Sequence, residues 1–148
     1  MGDRRPPDQE AQVSARSAAL LAGLLAAAGV THFVRPEPYD AIVPRGLPGS
    51  PRGWTLASGA VELALAATVA LPATRRAGGV LTAGFFAAVF PANVKMARDW
   101  RHRPTAMKAA AYARLPVQAP LVLWALEVAR SAGPAARTPD ARRPTLTP

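Results

Sequence analysis

The chain has 148 residues, with 18 Lys and Arg against 9 Asp and Glu, which gives a formal net charge of +9. It contains no cysteine, which excludes disulfides, thiol catalysis and iron–sulfur clusters. Its two histidines are too few for a histidine-rich metal site. The basic balance would suit a nucleic-acid binder, but four windows of 18 residues hold only two charged side chains, Glu62 and Arg114. This segregation predicts an integral membrane protein and argues against a nucleic-acid partner.

Each window has the length of a membrane-spanning helix. Because a helix rises about 1.5 Å per residue, such a window covers about 27 Å of a hydrocarbon core about 30 Å thick. Small residues such as Gly78 and Gly79 would let neighbouring helices approach closely. We therefore expect an all-α fold, an integral membrane four-helix bundle. Its predicted spans are Ser17–Val34, Trp54–Leu71, Ala77–Val94 and Ala109–Leu126.

The first window has a second interpretation. Arg4, Arg5 and Arg16 precede an apolar run with small residues at its end, a pattern also found in secretory signals. The sequence continues apolar through Phe33 and Val34, which favours a retained helix. Residues 1–16 and 131–148 are rich in polar residues and are predicted to be disordered tails around a transmembrane domain at 17–130.

The connection between the first two windows, residues 35–53, is a Pro-rich loop. Its prolines prevent a long helix. Ile42 and Val43 make its middle apolar enough to lie at the membrane interface, so we expect a lid over one end of the bundle. The five prolines are Pro36, Pro38, Pro44, Pro48 and Pro51.

Polar residues within the windows converge on this same end of the bundle, because helix direction alternates. Glu62 would lie about 12 Å deep and Arg114 about 7–8 Å deep. An unpaired carboxylate in lipid is costly, so an ion pair between Glu62 and Arg114 is predicted. The expected cluster consists of His32, Ser58, Glu62, Asn93, Arg114 and Gln118.

Three interpretations of this cluster remain open. It could be a buried ion pair that sets helix register, a polar pocket for a small amphipathic ligand such as a quinone headgroup, or a proton relay. No nucleophile constellation and no metal site can be recognised. The second histidine, His102, falls in a basic loop, so the two histidines cannot readily hold a haem between them.

A series of short motifs follows in order along roughly residues 17–130. They are His32-Phe33, Pro36, Tyr39, Ile42-Val43-Pro44, Leu47-Pro48, Ser58-Gly59 with Glu62, Phe90-Pro91-Ala92-Asn93 and Arg114-Leu115-Pro116-Val117-Gln118. Together they resemble the DoxX-like family of small bacterial membrane proteins. The resemblance implies a four-helix integral membrane protein. The family is named after a small subunit associated with a terminal quinol oxidase and thiosulfate:quinone oxidoreduction. Most members have no established activity, some relatives assist membrane-protein assembly, and no catalytic residues can be transferred.

We therefore expect an accessory or assembly subunit of a quinone-linked redox complex, without catalytic residues or activity of its own. The alternative is a ligand-binding or oxidoreductase component with a polar intramembrane pocket, for which a quinone is the candidate cofactor. Expected partners are the lipid bilayer and a second protein or another copy of the chain. The expected location is the bacterial plasma membrane. Basic residues number nine on the side of the membrane with the termini and eight on the opposite side, so the charge count does not decide the orientation. We expect cytoplasmic termini because the polar tails then need no translocation.

Overall fold

The computed structural model describes residues 6–133, and within this range the protein is entirely helical. The prediction of an all-α chain is thereby confirmed for the described residues. Four long helices are joined by the Pro-rich loop, a short turn at residues 71–74 and a 3-10 turn. The elements are α1 (Pro7–Val34), α2 (Glu37–Asp40), α3 (Pro51–Ala70), α4 (Arg75–Asp99), the 3-10 turn (Trp100–His102) and α5 (Thr105–Ser131).

Helix α1 begins well before the predicted window, which corrects the expectation of a disordered tail for residues 7–16. Asp8 and Glu10 lie in its first turn, where the partial positive charge of the helix N-terminus stabilises carboxylates. The rest of the predicted tails, residues 1–5 and 134–148, lies outside the described residues.

Among the described residues, three helices are long and apolar enough to cross a membrane: Asp8–Val34, Pro51–Ala70 and Arg75–His102. The fourth predicted span corresponds to α5, which is as long as the others. Its apolar run is interrupted by Arg114 and Gln118, and it is not among the three.

The long helices associate as two pairs. Helix α1 packs along α3 and α4 packs along α5, and these are the most extensive contacts; α3 also meets α4, and α1 meets α5. The Trp124 indole donates a hydrogen bond of 2.8 Å to the Ser17 hydroxyl and so links the last helix to the first. We call the side with residues 71–74 the turn end and the side with residues 35–53 the loop end.

Glycines set the distance between the paired helices. A Cβ atom on Gly59 of α3 would lie 2.7 Å from the His32 Cβ and 3.0 Å from the Gly29 carbonyl oxygen of α1. A Cβ atom on Gly79 of α4 would lie 2.7 Å from the Ala125 carbonyl oxygen of α5. Because backbone atoms occupy this space, both pairs depend on glycine for their close approach.

The turn end contains the continuous apolar core. Leu21, Leu25, Val69 and Val128 are almost completely buried there and contact alanines of neighbouring helices. At the adjacent turn, Arg75 donates hydrogen bonds of 3.1 Å each to the Val69 and Ala70 carbonyls, which completes the C-terminus of α3. The core cluster comprises Ala18, Leu21, Ala22, Leu25, Leu65, Ala66, Val69, Ala83, Phe86, Ala125 and Val128.

Candidate functional site

The Pro-rich loop folds back across the loop end and is held by its own polar contacts. The Arg52 guanidinium donates a 2.8 Å hydrogen bond to the Asp40 carboxylate. The Trp54 indole donates a 2.7 Å hydrogen bond to the Pro48 carbonyl. The Ser50 side chain accepts a hydrogen bond from the amide of Gly53 and caps α3. These contacts give the loop a defined path into α3.

A cavity of about 490 Å³ lies beneath this loop. The loop contributes apolar side chains, and the helices contribute both apolar residues and most of the predicted polar cluster. Ile42 and Val43 of the loop line this cavity together with most of the predicted cluster. The lining residues used below are His32, Tyr39, Ile42, Val43, Thr55, Ser58, Glu62, Asn93 and Arg114.

His32 and Glu62 form the closest pair of titratable groups in this cavity. The His32 Nδ1 lies 3.3 Å from the Glu62 Oε2, and both residues are buried. The same Nδ1 lies 2.9 Å from the Ala28 carbonyl oxygen. A carbonyl can only accept, so this contact requires a proton on Nδ1. Within the described residues the Glu62 Oε2 has no hydrogen-bond partner, which leaves it as a buried acceptor beside the cavity.

The predicted ion pair between Glu62 and Arg114 is not formed. Arg114 is exposed and lines the same cavity, but the ion-pair contact of Glu62 within 4.0 Å is to His32. The reason is the pairing of the helices: Glu62 lies on α3, which packs against α1, whereas Arg114 lies on α5, which packs against α4.

The contact between His32 and Glu62 follows from the glycine crossing of α1 and α3. His32 comes three residues after Gly29, and Glu62 comes three residues after Gly59. Because the two helices run antiparallel, these offsets point in opposite directions along the pair. His32 meets Glu62 because its Cβ lies directly against Gly59, and Glu62 follows Gly59 one turn later on the same face of α3.

Tyr39 adds an aromatic wall that the predicted cluster did not include. Its ring stacks on the His32 imidazole with centroids 3.8 Å apart and an interplanar angle of 26°. Its hydroxyl lies 2.6 Å from the Thr31 hydroxyl. A tyrosine in such a loop is equally typical of membrane-interface anchoring. Its position on the imidazole is decided by the path of the loop.

The remaining predicted residues occupy two places. Ser58 and Asn93 line the cavity and are half-buried. Gln118 is buried behind Asn93, whose amide nitrogen donates a 3.0 Å hydrogen bond to the Gln118 oxygen. The Gln118 amide nitrogen in turn donates to the Phe86 carbonyl. Gln118 therefore joins α5 to α4 and does not line the cavity.

Asp40 and Thr55 connect the loop to the cavity. Thr55 is buried and lines it. The Thr55 hydroxyl and the Arg52 guanidinium together hold the pKa of the Asp40 carboxyl below its usual range, because both stabilise the ionised form. The loop thus carries a charged anchor, Asp40, next to the apolar residues Ile42 and Val43.

The chemistry of this site is that of hydrogen bonding inside an apolar enclosure. Among residues 6–133, no group of three or more His, Asp or Glu side chains is arranged to hold a metal ion. The cavity presents the Arg114 guanidinium and the Ser58 hydroxyl as donors and the Glu62 carboxyl group as an acceptor. Such a set can orient a polar headgroup whose tail contacts the apolar wall.

Comparison with known proteins gives one family match. The model of a family described as "Domain of unknown function (DUF8561)" matches residues 21–129, which include the second half of α1, all of α3 and α4 and most of α5. No curated protein and no solved structure matches the chain.

Proposed function

The chain belongs to the DUF8561 family, and on that premise we propose that it is a four-helix integral membrane protein that binds a small amphipathic molecule beneath the Pro-rich loop. Helix α5 would be the fourth span, which is supported by its length and by its packing along α4. In this setting the Pro-rich loop lies at the membrane interface, as the exposure of Leu47 and Trp54 supports.

The cavity is the observation that carries this proposal. Its volume of about 490 Å³ falls in the range of small-molecule sites, which combine apolar walls with a few polar groups. Ile42 and Val43 supply part of the wall, and the Glu62 Oε2, which accepts no hydrogen bond within residues 6–133, supplies an acceptor for a ligand. A quinone in its reduced quinol form fits this description, since one ring hydroxyl can donate to Glu62 and the other can accept from the Arg114 guanidinium.

The family relation and the location belong to the same proposal. The order of His32, Glu62 and the Arg114–Gln118 segment along the chain supports a relation to DoxX-like proteins. We place the protein in a bacterial plasma membrane with both termini on the cytoplasmic side.

The test is a melting-temperature measurement on the detergent-purified full chain. The quinone probe is a benzoquinone with a short alkyl tail, kept in its reduced quinol form. A site-specific ligand at a hundred times its Kd stabilises the folded state by about 2.7 kcal/mol. We expect this shift in the parent protein and its loss in Glu62→Gln, which replaces the charged acceptor with a neutral amide, and in Arg114→Ala, which removes the donor.

Two matched controls lie at the far end of α5. Glu127→Gln and Arg130→Ala make the same chemical changes at exposed positions outside the cavity, so both are expected to keep the shift. If the probe never stabilises the protein while the cavity variants simply melt earlier, the polar cluster is a structural element and ligand binding is excluded.

An accessory role in a quinone-linked redox complex is a second candidate. It is favoured by the outward faces of the helices: Gly23 of α1 and Gly84 of α4 are exposed, and a Cβ atom on either would meet nothing within 4 Å. Such faces allow another helix to approach closely. Cross-linking in native membranes would reveal a stoichiometric partner, and Gly84→Leu should weaken that cross-link if the partner helix packs there.

A further inference from the structure

A second concavity, of about 980 Å³, opens at the loop end on the outer side of α4. It lies beside the ligand cavity, and the two share only Pro44 and Pro91 among their lining residues. Its walls come from the Pro-rich loop, the last turns of α4 and the 3-10 turn. The charged and polar side chains that line it are Arg45, Lys95, Arg98, Asp99, Arg101 and His102.

Positive charge in this concavity exceeds negative charge. Lys95 is neutralised by Asp99, with 2.5 Å between its Nζ and the carboxylate oxygen. Within residues 6–133, the guanidinium groups of Arg45, Arg98 and Arg101 form no ion pair within 4.0 Å. Asp99 is the one carboxylate among the lining residues, so the three guanidinium groups leave the concavity with a net positive charge. The Arg101 guanidinium also donates a 2.8 Å hydrogen bond to the His102 Nε2.

The arginines continue an apolar stripe on the same face of α4. Phe90, Val94 and Arg98 are spaced four residues apart and all line the concavity, and Arg101 follows in the next turn. Phe90 is 40% exposed. The stripe runs from apolar, towards the middle of the helix, to cationic at its end. A soluble anion would use only the cationic part of this surface.

We propose that this concavity binds an anionic phospholipid, with its phosphate between Arg45, Arg98 and Arg101 and an acyl chain along Phe90 and Val94. Guanidinium groups form paired hydrogen bonds with phosphate oxygens, and basic pockets between membrane helices attract anionic headgroups. The inference rests on the proposed membrane setting of α4 and is independent of what occupies the ligand cavity.

The experiment titrates the detergent-purified full chain with phosphatidylglycerol and follows the melting temperature. Phosphatidylcholine of the same acyl length and inorganic phosphate are titrated in parallel. We expect phosphatidylglycerol to raise the melting temperature, and neither of the other two to do so at equal concentration.

Two double variants locate the effect. Arg98→Gln with Arg101→Gln should weaken the phosphatidylglycerol response at least about tenfold, since each basic side chain near an anionic lipid contributes about fivefold. Arg76→Gln with Arg130→Gln removes the same charge at the turn end and should respond like the parent protein. If the first double variant does not purify in a folded form, Arg45→Gln in the loop is measured in its place, with about fivefold weakening expected.

Three results would overturn the lipid site. The first is a response to phosphatidylcholine as large as the response to phosphatidylglycerol. The second is an equally large response to inorganic phosphate, which would indicate a site for free anions. The third is an equal loss of the phosphatidylglycerol response in both double variants, which would indicate diffuse charge attraction. The quinone probe is measured on the same preparations. A retained quinone response with no phosphatidylglycerol response therefore refutes this inference while leaving the ligand cavity in place.

Discussion

The turn end and the loop end are built from the same four long helices, yet they are packed differently. At the turn end, Leu21, Leu25, Val69 and Val128 fill the space between the helix pairs and leave a continuous apolar core. At the loop end, the helix pairs enclose a cavity of about 490 Å³ roofed by residues 35–53. The comparison indicates that the turn end holds the fold together and that the loop end is free to carry polar groups.

The two ends differ because apolar and polar side chains have different packing and hydrogen-bonding requirements. Small and aliphatic side chains can interdigitate fully without needing partners. Buried polar groups need hydrogen-bond partners at defined positions, and within residues 6–133 the Glu62 Oε2 accepts no hydrogen bond. Open space beside incompletely satisfied groups is what a binding site requires, whereas it would only weaken a core.

The largest expected effect comes from breaking the turn end. Leu25 is 1% exposed, so Leu25→Ala should leave a cavity and lower the free energy of unfolding by about 2–5 kcal/mol. Leu20, on the same helix, is 68% exposed, and Leu20→Ala should change the stability by less than about 0.5 kcal/mol. Thermal unfolding of both variants in detergent measures the difference. Equal losses would show that the turn end is not the stabilising core.

An intermediate effect is expected at the glycine crossing of α1 and α3, which positions His32 against Glu62. In Gly59→Ala the new methyl group would lie 2.7 Å from the His32 Cβ, so α1 and α3 must separate. We expect a loss of about 1–3 kcal/mol in stability, together with a weaker response to the quinone probe.

The matched control is Gly23→Ala on α1, where the methyl group meets nothing within 4 Å. It should be neutral or stabilise the helix by up to about 1 kcal/mol, because alanine is the better helix former. If Gly59→Ala keeps both the stability and the probe response, the glycine crossing does not determine the site.

The smallest effect is expected in the loop itself. The pKa of Asp40 is held down by Thr55 and Arg52, so its ionised form favours the folded loop. This contribution is complete above about pH 4, the unfolded value, and is lost as the pH falls through the lower folded pKa. Asp40→Asn should therefore flatten the fall in melting temperature below about pH 4.

Glu37→Gln provides the comparison, because Glu37 lies 3.8 Å from the same arginine with its side chain 73% exposed. It should keep the acid sensitivity of the parent protein. Indistinguishable pH profiles for the parent and Asp40→Asn would mean that the hydrogen bond from Arg52 to Asp40 does not stabilise the loop.

The long helices could be predicted from the sequence with little error. Each of the four apolar windows lies within a helix or overruns it by one residue, because 18 mostly apolar residues in a membrane leave the backbone few alternatives. The start of α1 was predicted too late, since the polar composition of residues 7–16 hides a helix supported by Asp8 and Glu10. The apolar composition of a segment indicates whether it leaves water more directly than it indicates whether it is helical.

Which polar residues lie together could be predicted from the sequence, but which of them contact each other could not. Five of the six predicted polar residues line one cavity, because alternating helix direction places them at the same end. The partner of Glu62 is His32 on α1 and not Arg114 on α5. Depth along a helix can be counted from the sequence, but which helices pair, and which faces they turn to each other, depends on the fit of glycines against backbone atoms.

The sequence by itself determined where the apolar helices lie, that helices of such length and composition suit a membrane, and that the few polar groups within the apolar windows gather at one end. These properties follow from local hydropathy and from counting along helices. Only the tertiary structure decided that α1 pairs with α3, that Tyr39 stacks on His32, and that a basic concavity opens beside the cavity. Each of these depends on contacts between residues far apart in the chain, and such contacts are selected by the close packing of whole helices.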